Sequence, residues 1–285
     1  MKIAALDPAE EWLAKSWLGN LYPLLGREEI ATKIKERLFT YINNLLEKTK
    51  QYKPSYNPDK LFEDRKILKK IEAQLPRNRS GMLIPIIGGF FMKIRSDEHE
   101  YRKRFSTAHE IGHTFFYDLK QSIPTIRFLK SNSRYWVEED YANEIAAAIL
   151  LPEASLRKVI IGGNLAPSLD ALENLCNLYK VSHEVLWRRI VRNQKLWDCI
   201  IFKSMMGING TINTDSVSVS KGISFKKWII PKVIKENLYS IIAPVFKERQ
   251  FSGELDFKGS KYTVESKLIR NSNSSSCITL IKKDN

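Results

Sequence analysis

Hydrophobic positions recur at helical spacing along the first part of the chain. Asp7, Pro8 and Glu10 read as an N-cap, a first-turn proline and a capping acid, which predicts a short helix to about Gly19. Ile30, Ile34, Leu38, Tyr41 and Leu45 mark a long amphipathic helix. The stretch "KQYKPSYNPDK" interrupts it with two prolines. Leu61, Leu68, Ile71 and Leu75 then predict a third helix. After that the period changes. "RNRSGMLIPIIGGFFMKIR" is an apolar run punctuated by glycines and predicts a hairpin or two short strands. A helix over about 106–119 follows, then irregular chain over 120–136. A second helix over about 138–150 is stopped by Pro152.

Past the linker-like "IGGNLAP", the pattern predicts two short helices over 168–193 joined by a tight turn. Leu172, Leu175, Leu178, Leu186 and Ile190 would form their core. From about residue 197 strands are expected, with one amphipathic helix near 231–247 and hairpin strands flanking "NSNSSS". The predicted fold class is α+β in three parts. Residues 1–160 form a mainly helical domain with a small β-sheet, 161–195 a helical segment, and 196–285 a C-terminal α/β module. Trp12, Trp17, Trp136 and Trp187 are expected as core aromatics.

Composition narrows the setting. The 285 residues are 43% hydrophobic and 27% charged, enough apolar material for a core in each of two or three domains. The formal net charge of +14 favours polyanions or acidic protein surfaces as partners, although the lysines are scattered. Three cysteines far apart, with no CxxC, argue against a disulfide scaffold and a thiolate zinc site, and fit a reducing cytoplasm. The opening "MKIAALDPAEEW" lacks the apolar core of a signal peptide. The longest apolar run is broken by Pro85, Gly88 and Gly89, so no membrane partner is expected.

The chemistry lies in "RFSTAHEIGHTFFYD", which holds two of only four histidines. On a helix, His109 and His113 share one face and aim two imidazoles at one point, the bite needed for a tetrahedral Zn²⁺. Glu110 lies one residue round from that face, placed to act as general base on a metal-bound water. A catalytic zinc needs a third protein ligand and one open position. The next helix, "WVEEDYANEIAAAILLP", offers Glu138, Glu139, Asp140 and Glu144, and spacing alone does not separate Glu139 from Glu144. Asn143 shares a face with Glu139 and is a candidate to orient a ligand imidazole. Tyr117, one turn past His113, is a candidate donor to an oxyanion. The strand-like run 82–94 is a candidate edge for substrate to add to. Arg102, Lys103 and Arg104 enter the motif helix as a basic turn, and Gly112 lets another backbone come close.

Taken together, "RFSTAHEIGHTFFYD" and "EEDYANEIAAAILLP" resemble the ImmA/IrrE family of zinc metallopeptidases over roughly residues 60–160. That family's pattern is Arg-Phe-x-x-Ala-His-Glu-x-Gly-His, then Glu-x-x-Ala-Asn-x-x-Ala ending in Leu-x-Pro. Ile145 stands where many members have Phe. The resemblance implies that Glu139 joins His109 and His113 as the third ligand, that Glu110 is the base and that one Zn²⁺ is bound. It also implies a cytoplasmic endopeptidase that cuts a helix-turn-helix repressor and so switches on genes. The longer, IrrE-like members place a helix-turn-helix-like segment and then a GAF-like module after the peptidase, the order expected here for 168–193 and the α/β tail.

The helical pair carries "WRRIVR", with Arg188, Arg189 and Arg192 as candidate contacts to DNA or to a protein partner. One helical pair without a partner half-site would bind DNA weakly. The alternative function is therefore a DNA-binding transcriptional regulator whose metal site is vestigial or structural.

Overall fold

The computed structural model describes residues 7–15, 27–124, 135–193, 195–206, 212–220, 239–257, 260–271 and 274–283. The chain divides into two compact units, residues 1–155 with 179–181 and residues 156–178 with 182–285.

In the first unit, α1 (Pro8–Lys15) opens as expected, with the Asp7 carboxylate accepting from the Ala9 amide at 3.0 Å. The long helix α2 (Arg27–Lys48) buries Ile30, Ile34, Leu38, Ile42 and Leu45 along one stripe. The third predicted helix is absent. A 3₁₀ turn, Pro58–Leu61, is capped by Asn57 and followed by a strand, β1 (Ile67–Ala73). The helical spacing of Leu61, Leu68 and Ile71 was fortuitous. Leu61 is fully buried in the turn, whereas Leu68 is 58% exposed on the strand. Pairing with a distant strand, not local period, decided the state.

That strand is β3 (Gly89–Arg95), which runs parallel to β1 and antiparallel to β2 (Gly81–Ile86) in the order β1-β3-β2. The β2–β3 hairpin is the predicted one. It turns at Ile87-Gly88, where Gly88 has φ +84°, a conformation that glycine adopts without a Cβ penalty. The sheet leaves β2 at an edge. The motif helix α3 spans Glu100–His113, about six residues N-terminal to the predicted range. His99 caps its start by accepting from the Tyr101 amide at 3.2 Å. Its end is set at Thr114, whose buried hydroxyl donates to Ile111 O at 2.5 Å and accepts from Arg65 Nε at 2.8 Å. A 3₁₀ turn, Thr114–Phe116, follows. Helix α4 (Tyr135–Leu150) packs on α3, and residues 125–134 before it lie outside the described residues. A Cβ on Gly112 would stand 2.8 Å from Ala142 Cα, so only glycine lets the two helices approach this closely.

A short helix not foreseen from the pattern, α5 (Glu153–Ile160), begins directly after Pro152. In the second unit, α6 (Leu169–Tyr179) and α7 (His183–Trp187, continued by a π-helical turn over Arg188–Asn193) form the predicted pair. Leu172, Leu175, Leu186 and Ile190 are buried, and Leu178 is exposed. Strands β4 (Ile200–Met206), β5 (Ile212–Val219), β6 (Gln250–Phe257), β7 (Ser260–Asn271) and β8 (Ser274–Lys283) form an antiparallel sheet in the order β5-β4-β8-β7-β6. Helix α8 (Tyr239–Glu248) covers one face, with Ile242 and Val245 packed on Ile200, Phe202, Val264 and Ile281. The expected helix near 231–247 is thus seen from Tyr239; residues 221–238 lie outside the described residues. Of the expected core tryptophans, Trp187 is buried, and Trp12 is half-buried with its indole N–H on Phe115 O at 3.2 Å. Trp17 and the Trp136 side chain lie outside the described residues. The class is α+β, as expected. Among the described residues no helix is long and apolar enough to cross a membrane.

Candidate metal centre

Three side chains from α3 and α4 converge. His109 Nε2 lies 3.1 Å from Glu139 Oε2, and His113 Nε2 lies 3.4 Å from Glu139 Oε1. The two imidazole Nε2 atoms are 3.1 Å apart. Ligands at about 2.05 Å in a tetrahedron stand about 3.3 Å from one another, so the two imidazole nitrogens and the two Glu139 oxygens are spaced as a group that could hold a metal ion.

Hydrogen bonds fix which nitrogen faces that point. His109 Nδ1 donates to the Asn143 amide oxygen at 3.0 Å, and His113 Nδ1 donates to Glu138 Oε1 at 2.7 Å. A carboxylate and an amide carbonyl only accept, so both Nε2 lone pairs are free to turn towards Glu139. The charge balance agrees. Glu110, Glu138 and Glu139 surround two imidazoles, an excess that a divalent cation would offset. Burial disfavours a charged His113 ring, yet its bonds to Glu138 and Glu139 outweigh this and push it up to about 10. The cluster draws positive charge to the place where the ligand atoms meet.

Glu110 faces the same cleft and is 6% exposed. Burial raises its carboxyl above the usual range, while His113 and His109 pull it back. Its carboxylate rests against the β2 backbone, where a Cβ on Gly81 would meet Oε1 at 2.4 Å. The cleft has a volume of about 490 Å³ and runs along Asn78–Leu83, so the edge strand β2 forms its wall. Tyr117 lines it too, 6% exposed, with its ring edge-on to Phe90 at 4.9 Å. Burial, and then the charges of Glu138 and Glu110, raise its hydroxyl pKa.

The other acids of α4 take different places. Glu144 pairs with Lys35 at 2.8 Å, and Asp140 is exposed. Glu138, in the first turn of α4, is 2% exposed and lies outside the ligand cluster. Its place was not legible in the sequence, because only the crossing of α3 and α4 sets it opposite His113. Gly81 escaped notice for the same reason. The basic turn is employed: Lys103 pairs with Glu72 at 2.6 Å, Arg104 donates to Tyr56 O at 2.6 Å, and Arg102 lines the cleft beside Ser80.

The arginines expected to meet DNA or a partner divide. Arg189 is 2% exposed and cannot reach a phosphate, a correction to the sequence expectation. Its place on the buried side of the pair, next to Ile190, accounts for this. Arg188 is exposed and bound to Glu184 at 2.6 Å. The Arg192 side chain lies outside the described residues.

The sequence profile of a peptidase family, described as the IrrE N-terminal-like domain, matches residues 88–191. That span, a little over a third of the chain, is similar to the IrrE N-terminal-like domain. The matched span contains both motif blocks and every residue of the cluster. Among solved structures, a Mycobacterium tuberculosis transcriptional regulator has the same fold, with a TM-score of 0.55 and 14% identity over 86% of this chain and 87% of that one. No curated protein matches this chain in sequence.

Proposed function

We propose that the protein is a zinc-dependent endopeptidase that cuts a helix-turn-helix transcriptional repressor, switching on genes by limited proteolysis. The observation that carries the reading is the convergence of His109, His113 and Glu139 beside the buried Glu110 carboxylate, in the wall of an open cleft. His109, His113 and Glu139 hold one Zn²⁺. When bound, the ion supplies Lewis acidity, polarising the scissile carbonyl and acidifying water. The substrate chain lies along the β2 edge as an added strand, its backbone bonded to the wall of the cleft. Glu110 takes the proton of the attacking water as the O–C bond forms. It then passes that proton to the amine nitrogen as the C–N bond breaks. The Tyr117 hydroxyl, which lines the same cleft, donates to the carbonyl oxygen. Asn143 orients His109 through Nδ1.

Support for a regulatory substrate comes from the family resemblance and from a fold neighbour that is itself a transcriptional regulator. The three cysteines are buried and unbridged, in keeping with action in the cytoplasm. A DNA-binding role with a vestigial site draws less support, since Arg189 is buried and Arg188 is paired.

The test has two parts. Elemental analysis of the purified chain should find about one zinc per chain, lost in Glu139→Ala. Co-expression with candidate helix-turn-helix repressors should yield a cut product with wild type and none with Glu110→Gln, which keeps its zinc. Zinc-loaded protein whose biological effect survives Glu110→Gln would leave the metal a structural staple.

A further inference from the structure

We infer that Glu138 is the positioning residue for His113, and that it sets the strength with which the site holds its metal. The inference rests on the metallopeptidase reading above. Three observations carry it. Glu138 Oε1 accepts from His113 Nδ1 at 2.7 Å, a charge-assisted bond shorter than the neutral one between Asn143 and His109 at 3.0 Å. Glu138 is 2% exposed, and its second oxygen, Oε2, is buried with no hydrogen-bond partner among the described residues. A buried carboxylate with one oxygen unpaired is costly for folding alone, so the bond it makes to His113 is the use its position points to. Finally, Glu138 lies in the first turn of α4, where the helix dipole favours a negative charge.

The two histidines therefore receive different support. Both have their rings oriented, but His113 also gains negative charge from its partner. That charge makes its Nε2 the more basic donor, and Zn²⁺ is bound more tightly in consequence. Glu138 touches neither substrate nor the reacting atoms. It acts through His113.

The test is zinc affinity of the full chain, measured by competition with a chromogenic chelator, for wild type, Glu138→Gln, Glu138→Ala and Asn143→Ala. Loss of a partner of this kind costs about 10–100-fold in affinity. Glu138→Ala should fall in that range and exceed Asn143→Ala. Glu138→Gln keeps an acceptor for Nδ1–H without the charge, so it should recover part of the loss. A second readout guards against a mere folding effect. In zinc-loaded, ¹⁵N-histidine-labelled protein the His113 Nδ1–H proton should appear far downfield, shift in Glu138→Gln and vanish in Glu138→Ala. With only four histidines in the chain the signal is assignable. Wild-type affinity in both Glu138 variants, or an unmoved His113 signal, would overturn the inference while leaving the metal centre intact. A folded wild type that takes up no zinc would remove the metal centre and this inference with it.

Discussion

At Glu110 the chain places a buried carboxylate against a strand backbone, and the residue opposite has no side chain. Gly81 is the reason it fits, since any Cβ there would stand 2.4 Å from Oε1. The obstructing atoms, Oε1, Cδ and Cγ, belong to one flexible side chain, so Gly81→Ala is cheap for the fold and, on the proposed mechanism, costly for the base. We expect zinc content and thermal midpoint close to wild type. We expect cleavage reduced about 100-fold, the cost of misplacing a reacting group by about 1 Å. Parallel metal analysis, melting and cleavage assays check this. Loss of zinc in that variant would mean that Gly81 supports the ligands and not the base. At this scale the histidines and Glu110 were legible from spacing, because i and i+4 share a helical face whatever surrounds it. Glu138, Gly81 and the burial of Arg189 were not, because each depends on what lies across from it.

Between elements, the decisive contact is α3 on α4. Gly112 sits against the Ala142 backbone at a distance no Cβ tolerates, and backbone cannot yield as a side-chain tip can. Gly112→Ala should therefore push the helices apart, destabilise the first unit by about 1–3 kcal/mol and weaken zinc binding, because Glu139 moves off the two imidazoles. Denaturant unfolding and metal titration read both effects; an unchanged zinc affinity would show that the ligands do not depend on this approach. The helical pair offers a separate test. Burial lowers the pKa of His183 below its ordinary 6.5, with Glu173 opposing and Lys267 adding to the shift. The unfolded chain thus takes up the proton first. Stability from this residue is complete above about pH 6.5 and is lost as pH falls towards the lowered value. Tryptophan-monitored urea unfolding should show that slope in the second unit between pH 7.5 and 5.5. His183→Gln should flatten it. The error over 61–75 belongs to this scale as well. A helical period appeared in a segment whose hydrogen bonds are made with β3, and no local pattern reports a parallel partner beyond an intervening strand.

For the whole molecule, metal binding and stability are one equilibrium. Zinc at about 100 times its dissociation constant should raise the unfolding free energy by about 2.7 kcal/mol, provided the unfolded chain binds none. A chelator should reverse the rise and Glu139→Ala should abolish it; a melting point indifferent to zinc in wild type would speak against a site formed by folding. The formal charge of +14 bears on partners and not on the site, where acidic side chains are gathered instead. The sequence by itself determined the α+β class, the long amphipathic helix, the β2–β3 hairpin and the pair of histidines with their glutamate. Each is written in local period and turn chemistry, which act within a few residues. Spacing alone left Glu139 and Glu144 open, and the family resemblance pointed to Glu139; only the tertiary structure decided that Glu138 stands behind His113, that Arg189 is buried, and that 67–73 is a strand. Those outcomes are set by which helix faces cross and which strands pair, and both are fixed by packing across the unit.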